Sequence, residues 1–319
     1  MLQEIQENPE APTRDDAATA TAGAGAPAHA RKPLTRKDLV AEHPTWCPGC
    51  GHFSVLATYL KLIEKRQIPH EKIVTVAGIG CSSRMPYFIQ ANGVHYIHGR
   101  ALAFASGISL NRPDLHVFVF GGDGDGFSIG GNHTTHTARK NIKMTYVIMD
   151  NQIYGMTKKQ TSPTSPLGAK TTTDTWGAVD QPINPVRQLL GAGATFIARA
   201  SAANPAHLLQ MLEAAHDHDG FSAIECLSEC SHFNAGSFDA ASPRAGGKYD
   251  LVPATHDATN PAAAFDLAGN PFPGHFGIFY NATRPSKNAL EENIITAQRA
   301  KFAGKQDWEI LKSTFNRMK

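Results

Sequence analysis

Five short apolar runs punctuate the chain between residues 72 and 227: KIVTVAGIG, LHVFVFGG, MTYVIMD, TFIARA and FSAIECL. Runs of this length, rich in Val, Ile and Phe and often ending in glycine, are what strands buried on both faces require. The segments between them have helical character. FSVLATYLKLIEKRQ places Phe53, Leu56, Leu60 and Ile63 on one helical face, and GRALAFASGISL reads as a helix of small residues. Further helices are expected through Lys140, near Val186 to Leu190 and near residues 205–216. Strand and helix in strict alternation predict an α/β fold: a mostly parallel sheet with helices on both faces. Ligands of such sheets bind at the carboxyl ends of the strands, so the loops after Val76, Phe120, Met149 and Leu227 should share one rim.

Those loops carry the unusual residues. VFVFGGDGDGFSIGGN delivers a strand straight into Gly121, Gly122, Asp123, Gly124, Asp125 and Gly126. A dinucleotide-binding turn would avoid a carboxylate where a pyrophosphate lies, whereas Asp123 between glycines suits a hard divalent cation that carries phosphate oxygens. The next strand ends in DNQIYGMTKKQ, which supplies Asn151, 28 residues after Asp123, and a loop carbonyl at Ile153. Two side chains and a carbonyl leave the rest of an octahedron for a diphosphate and water, the pattern of the magnesium-diphosphate site of thiamine enzymes. The alternative is that Asp123 and Asn151 are turn residues capping strand ends.

HPTWCPGCGH sets Cys47 and Cys50 two residues apart, in a chain of five cysteines. Such a pair can hold zinc, carry an iron-sulfur cluster or exchange disulfides. Zinc ribbons bring a second CxxC or CxxH knuckle, which this sequence lacks. One CxxC plus the isolated Cys81, in GIGCSSR, and Cys230 looks more like a four-thiolate cluster assembled from distant loops. Cys226 falls inside the strand AIECL and reads as a buried small hydrophobe. His43, His52, His133 and His136 flank these motifs, but in a chain of 15 histidines each reads as a packing or hydrogen-bonding residue.

Composition narrows the partners. With 30 Lys and Arg against 28 Asp and Glu, and no basic run, nucleic acid is not an expected ligand. No stretch approaches the roughly 18 uninterrupted apolar residues of a spanning helix, and the start lacks the profile of a secretion signal, so no membrane contact and a cytoplasmic location are expected. Residues 1–36 have no apolar periodicity and are expected to form a disordered tail. Residues 37–235 would form the cofactor domain. Residues 236–319 turn irregular and end in a charged helix from about 287, reading as an extension that packs on a partner subunit.

WCPGCGHFSVL, AGIGCSSRMPYF, HGRALAFASG, FGGDGDGFSIGGNH, ARKNIKMTYVIMDNQIYGMTKKQTSPTSPLG and LSECSHFN together resemble the β-subunit of 2-oxoacid:ferredoxin oxidoreductases, in particular the 2-oxoglutarate type. The resemblance covers most of residues 43–234. It implies the pyrophosphate-type domain of the thiamine diphosphate-binding fold. It assigns Cys47, Cys50, Cys81 and Cys230 to one 4Fe-4S cluster, and Asp123, Asn151 and the Ile153 carbonyl to Mg2+. It places Ile79, Gly80, Cys81, Ser82, His98, Gly124, Asp125, Gly155 and Met156 around thiamine diphosphate. Lys158 would meet the distal carboxylate of the oxoacid and His98 a developing alkoxide. Lys159 stands where the family often has glycine, which leaves open which ammonium faces the substrate.

The implied reaction converts 2-oxoglutarate or another 2-oxoacid, with coenzyme A, to an acyl-CoA and CO2 while reducing ferredoxin, or runs in reverse. Thiamine enzymes need a second, pyrimidine-binding domain to supply an activating glutamate. This chain has room for one such domain, so the resemblance implies an α-subunit, in two αβ pairs. The rival readings are a pyruvate or broad-specificity enzyme, a non-oxidative thiamine decarboxylase or carboligase, and a zinc-stabilised scaffold subunit.

Overall fold

The computed structural model describes residues 32–318, so most of the expected tail, residues 1–31, lies outside the described residues. The five apolar runs all become strands of one sheet. They are β1 (Ile73–Ala77), β3 (His116–Gly122), β4 (Met144–Asp150), β5 (Phe196–Ser201) and β6 (Phe221–Leu227), joined by β2 (Asn92–His95), β7 (Asp250–Leu251) and β8 (His275–Asn281). Their order is β2-β1-β3-β4-β6-β5-β8-β7. The pairs from β2 through β5 are parallel, and β8 runs antiparallel to β5. β1, β4, β5 and β6 are buried along their whole length, as strands covered on both faces must be.

The described helices are α1 (Arg36–Leu39), α2 (His52–Arg66), α3 (Ala101–Asn111), α4 (Gly131–Lys140), α5 (Pro185–Gly191), α6 (Pro205–Asp217), α7 (Pro261–Leu267), α8 (Lys287–Lys301) and α9 (Asp307–Arg317). The two faces of the sheet sort by the period of two. Phe118, Phe120, Val147 and Met149 pack with α2 and α6, while Val117, Val119, Tyr146 and Ile148 pack with α3 to α5 and α7. Leu56, Leu60 and Ile63 of α2 are buried as its apolar spacing predicts, with Phe53 partly buried beside them.

Residues after 235 are more ordered than their sequence suggests. Instead of a purely irregular extension they supply β7, β8 and α7. Phe276 and Phe279 of β8 are fully buried, on opposite sides of the sheet. Prolines and glycines crowd this region and hide the seven-residue strand between them. β2 escapes notice for another reason. It is a four-residue, half-exposed edge strand with almost no apolar signature. Among the described residues no helix is long and apolar enough to cross a membrane.

At the opposite end of the strands from the predicted rim, His116 Nδ1 lies 2.9 Å from His216 Nε2, and the His216 ring stacks on Phe118. Burial first, then the neighbouring His116, pushes His216 down to about 4. Above an unfolded value near 6.5 the imidazole is neutral in both states. As pH falls, the unfolded chain takes the proton first, so stability is lost between about pH 6.5 and 4, by at most roughly 3 kcal/mol. Arg66, Lys72 and Lys143 oppose protonation of this pair and Asp217 favours it. His216→Leu should flatten the drop in urea midpoint between pH 7.5 and 5. An equally steep drop in the variant would assign it to other groups.

Candidate active site

β1, β3 and β4 are neighbours, so their carboxyl ends deliver three loops to one place. β3 ends in Gly122 and the chain enters a π-helical turn, Gly124–Ile129, before α4. Such turns are rare and concentrate at functional sites. Gly124 has no alternative here. A Cβ on it would stand 2.1 Å from Tyr154 Cε1, so the turn packs directly against the loop that follows β4.

The three loops wall an open cleft whose water-accessible interior is about 80 Å³. Its lining includes every residue the resemblance placed around the cofactor: Ile79, Gly80, Cys81, Ser82, His98, Gly124, Asp125, Gly155 and Met156. Asp123, Asn151 and Ile153 line the same cleft. Lys158 is not among its walls. It is exposed, and both it and Lys159 have left-handed backbone, with φ of 73° and 77°. Side chains seldom adopt that region, which accounts for the glycine preference at the second position.

Asp125 acts as a bracket more than as a ligand. Its Oδ1 accepts the Gly99 N–H at 2.7 Å and the Ile79 N–H at 3.1 Å, tying the β1 and β2 loops together. His98 Nδ1 stands 2.8 Å from the same oxygen, an ion pair when the imidazole is protonated, although the approach is not aligned as a hydrogen bond.

Asp123 is 2% exposed, and burial pushes its carboxyl up. Thr164 Oγ1 stands 2.8 Å from Asp123 Oδ2 and 2.9 Å from Asp150 Oδ1. A hydroxyl has one proton to donate, so two ionised carboxylates around it leave one of them facing a lone pair. Burial, then the charge of Asp123, pushes Asp150 well above the carboxylate range. A divalent cation on Asp123 would relieve this crowding of negative charge, so the residues fit Mg2+. Asn151 Oδ1 accepts the Ile153 N–H at 3.1 Å, which curls the loop and fixes both groups beside Asp123. Asp150, Thr164, Tyr154 and Thr157 were not singled out from sequence. Thr164 lies within the quoted TSPTSPLG and Asp150 directly precedes Asn151.

Four thiols gather on one flank of the cleft. The Trp46 indole N–H donates to the Cys81 carbonyl at 2.7 Å, Gly51 N–H to the Glu229 carbonyl at 3.1 Å, and Ser231 Oγ to the Pro48 carbonyl at 2.8 Å. These contacts bring together three segments that are remote in sequence. Cys50 is pushed up to about 12, by burial and then by Cys230, Cys81 and Cys47, and Cys81 is pushed up by burial and by Cys230 and Cys47. Cys81 also lines the cleft, and a Cβ on Gly155 would stand 3.3 Å from Cys230 Sγ. Asn234 Nδ2 donates to the Asn151 carbonyl at 2.9 Å, binding the thiol loop to the cation loop. Cys50 and Cys81, held neutral by partial burial, are ready to ionise on a metal that supplies the missing positive charge. Among the described residues no three His, Cys, Asp or Glu side chains converge on a single metal ion. Cys226 lies apart, fully buried in β6 among core residues.

A family model described as the C-terminal TPP-binding domain of thiamine pyrophosphate enzymes matches residues 78–226. The 2-oxoglutarate oxidoreductase subunit KorB of Mycobacterium tuberculosis is 46% identical over 221 residues, 69% of this chain and 59% of that one. The 2-oxoglutarate synthase subunit KorB of Methanocaldococcus jannaschii is 44% identical over 185 residues, 58% of this chain and 68% of that one. The chain therefore spans roughly two thirds of the length of these curated relatives. Among solved structures, a chain of the 2-oxoglutarate:ferredoxin oxidoreductase from Magnetococcus marinus, determined with 2-oxoglutarate, coenzyme A and succinyl-CoA bound, superposes with a TM-score of 0.81 at 38% identity. That match covers 89% of this chain and 97% of the other. On these likenesses, the chain belongs to the family of 2-oxoacid:ferredoxin oxidoreductase β-subunits.

Proposed function

We propose that this chain is the cofactor-bearing half of an enzyme that converts 2-oxoglutarate and coenzyme A to succinyl-CoA and CO2, passing two electrons to ferredoxin. One observation carries the reading: a cleft with the residue set for a magnesium-bound diphosphate shares a wall, through Cys81, with a group of thiols in which Cys50 and Cys81 each sense Cys47 and Cys230. Thiamine diphosphate supplies the carbon nucleophile that releases CO2 from a 2-oxoacid, and a 4Fe-4S cluster accepts the electrons left behind.

The chain's own groups have distinct tasks. Asp123, Asn151 and the Ile153 carbonyl hold Mg2+ and through it the diphosphate. Asp125 ties the Ile79 and Gly99 loops together along the cleft, and His98, paired to it, presents an imidazole to the substrate oxygen. Cys47, Cys50, Cys81 and Cys230 bind the cluster. An α-subunit brings the activating glutamate, in an assembly of two αβ pairs in the cytoplasm. The last part of the extension, α8 and α9, packs on that partner. Exposed Leu290, Ile294, Trp308, Leu311 and Phe315 of α8 and α9 support this.

Lys158 is the residue that turns this chemistry toward a dicarboxylic substrate. Its exposed position outside the cleft walls leaves it free to reach the distal carboxylate as the loop closes on a bound oxoacid. Losing one charge-assisted hydrogen bond costs about 1.5–3 kcal/mol, so Lys158→Ala should lower the preference for 2-oxoglutarate over pyruvate by about ten- to a hundredfold. The measurement is kcat/KM for each substrate in the assembled enzyme. An unchanged ratio, with Lys159→Ala lowering it instead, would transfer the role to the neighbouring ammonium.

A further inference from the structure

Behind Asp123, on the far side of Thr164 and Asp150, lies a second and separate cavity of about 340 Å³. Its walls come from the strand ends of β5 and β6, the loop before α5 and the loop before β8. Arg199 lines it and is 8% exposed. The guanidinium pairs with Glu225 through Nε alone, at 2.8 Å. Its Nη nitrogens make no hydrogen bond among the described residues, although a guanidinium has a second pair of parallel N–H groups suited to a planar oxyanion. The Gly274 backbone packs close beside that end, where any larger residue would crowd it. A Cβ on Gly274, whose φ is +62°, would stand 3.2 Å from Nη1. Phe279 lies near the guanidinium, its ring centroid 5.4 Å from Cζ.

A second buried group in this cavity also lacks a partner. Ser237 Oγ makes no hydrogen bond, and Ser237 lines the same wall. An unsatisfied buried donor is costly and uncommon, and one beside the free edge of a guanidinium marks a place suited to something polar. Asp150 and Glu225 are also on the wall, Asp150 Oδ1 taken up by the Gln152 N–H and the Thr164 hydroxyl and Glu225 by Arg199 Nε. The ligand must therefore sit on the guanidinium edge facing away from both carboxyls, which limits its size.

We infer that this cavity is a second ligand site, separate from the cofactor cleft, that takes a small planar oxyanion of the carboxylate or bicarbonate class on the Nη edge of Arg199, with Ser237 as a further donor. Asp150 and Thr164 form its boundary with Asp123, so occupancy bears on the cofactor site from behind. Nothing in this inference depends on which 2-oxoacid the enzyme uses.

The test is crystallography and calorimetry on the full chain with its partner subunit, using formate, acetate and bicarbonate as probes. The expected result is a planar group on the Arg199 Nη edge and a saturable site weakened by about tenfold or more in Arg199→Lys, which keeps the charge facing Glu225 but loses the fork. Ser237→Ala should weaken it severalfold while leaving the fold intact. Whichever of carboxylate and bicarbonate binds more tightly names the class. Ordered water alone on Arg199, or binding that is the same in Arg199→Lys and Ser237→Ala as in the wild type, would overturn the inference. If Arg199→Lys does not fold, Ser237→Ala decides alone.

Discussion

Asp123→Ala, made in the assembled enzyme, is expected to lower 2-oxoglutarate turnover by more than about a hundredfold and to remove magnesium and thiamine diphosphate together. Outer contacts to a metal ligand are worth roughly 10- to 100-fold, and a ligand itself should exceed them. The same substitution should not destabilise the unliganded chain. Asp123 is buried, its carboxyl is pushed up by burial, and it crowds Asp150 across a single hydroxyl, so removing it relieves a strain that only the cation offsets. Two measurements separate this from a folding defect: cofactor content after gel filtration, and the melting temperature of the unliganded protein. Retained cofactor with retained activity would return Asp123 to the role of a turn residue. Asp123→Asn is the finer probe, because it keeps an acceptor for Thr164 while losing the charge.

The second large effect is expected at the thiols. Cys230→Ser should lose most of its iron and visible absorbance and reduce ferredoxin at least about a hundredfold more slowly, whereas Cys226→Ser should keep its iron. The two cysteines are four residues apart but have different surroundings. Cys226 sits in mid-sheet with its thiol enclosed by the core, and burial first of all pushes it far up. Cys230 lies in the loop beyond β6, against Gly155 and within electrostatic reach of Cys50 and Cys81. An empty cluster in Cys226→Ser beside a full one in Cys230→Ser would reverse the assignment.

These residues differ in how far sequence alone could reach them. Asp123 and Asn151 are legible because each directly follows a strand whose apolar run is unmistakable, and strands adjacent in a parallel sheet end side by side. The thiol set is legible in part: the CxxC is a local signal, but its closeness to Cys81 and Cys230 depends on Trp46, Gly51 and Ser231 making contacts that no spacing encodes. The Asp123–Thr164–Asp150 contact is of this kind too, since 41 residues separate Asp123 from Thr164. Arg199 and Glu225 read as ordinary strand residues until the register of β5 and β6 pairs them. β8 was hidden because its aromatic run is short, carries a glycine and follows a stretch of prolines, where local propensity speaks for a loop. Antiparallel pairing with β5 overrides that propensity, and burial of Phe276 and Phe279 stabilises the pairing.

In the proposed function, electrons pass from a 2-oxoacid in the cleft to a cluster that the neighbouring thiols would hold. The most direct measurement is the visible spectrum of the anaerobically purified complex on addition of 2-oxoglutarate and coenzyme A, with no ferredoxin present. Bleaching of the iron-sulfur absorbance, restored by oxidised ferredoxin, is the predicted result. Release of CO2 with a spectrum that is featureless or unchanged would contradict it, and would identify a thiamine enzyme that decarboxylates without oxidation.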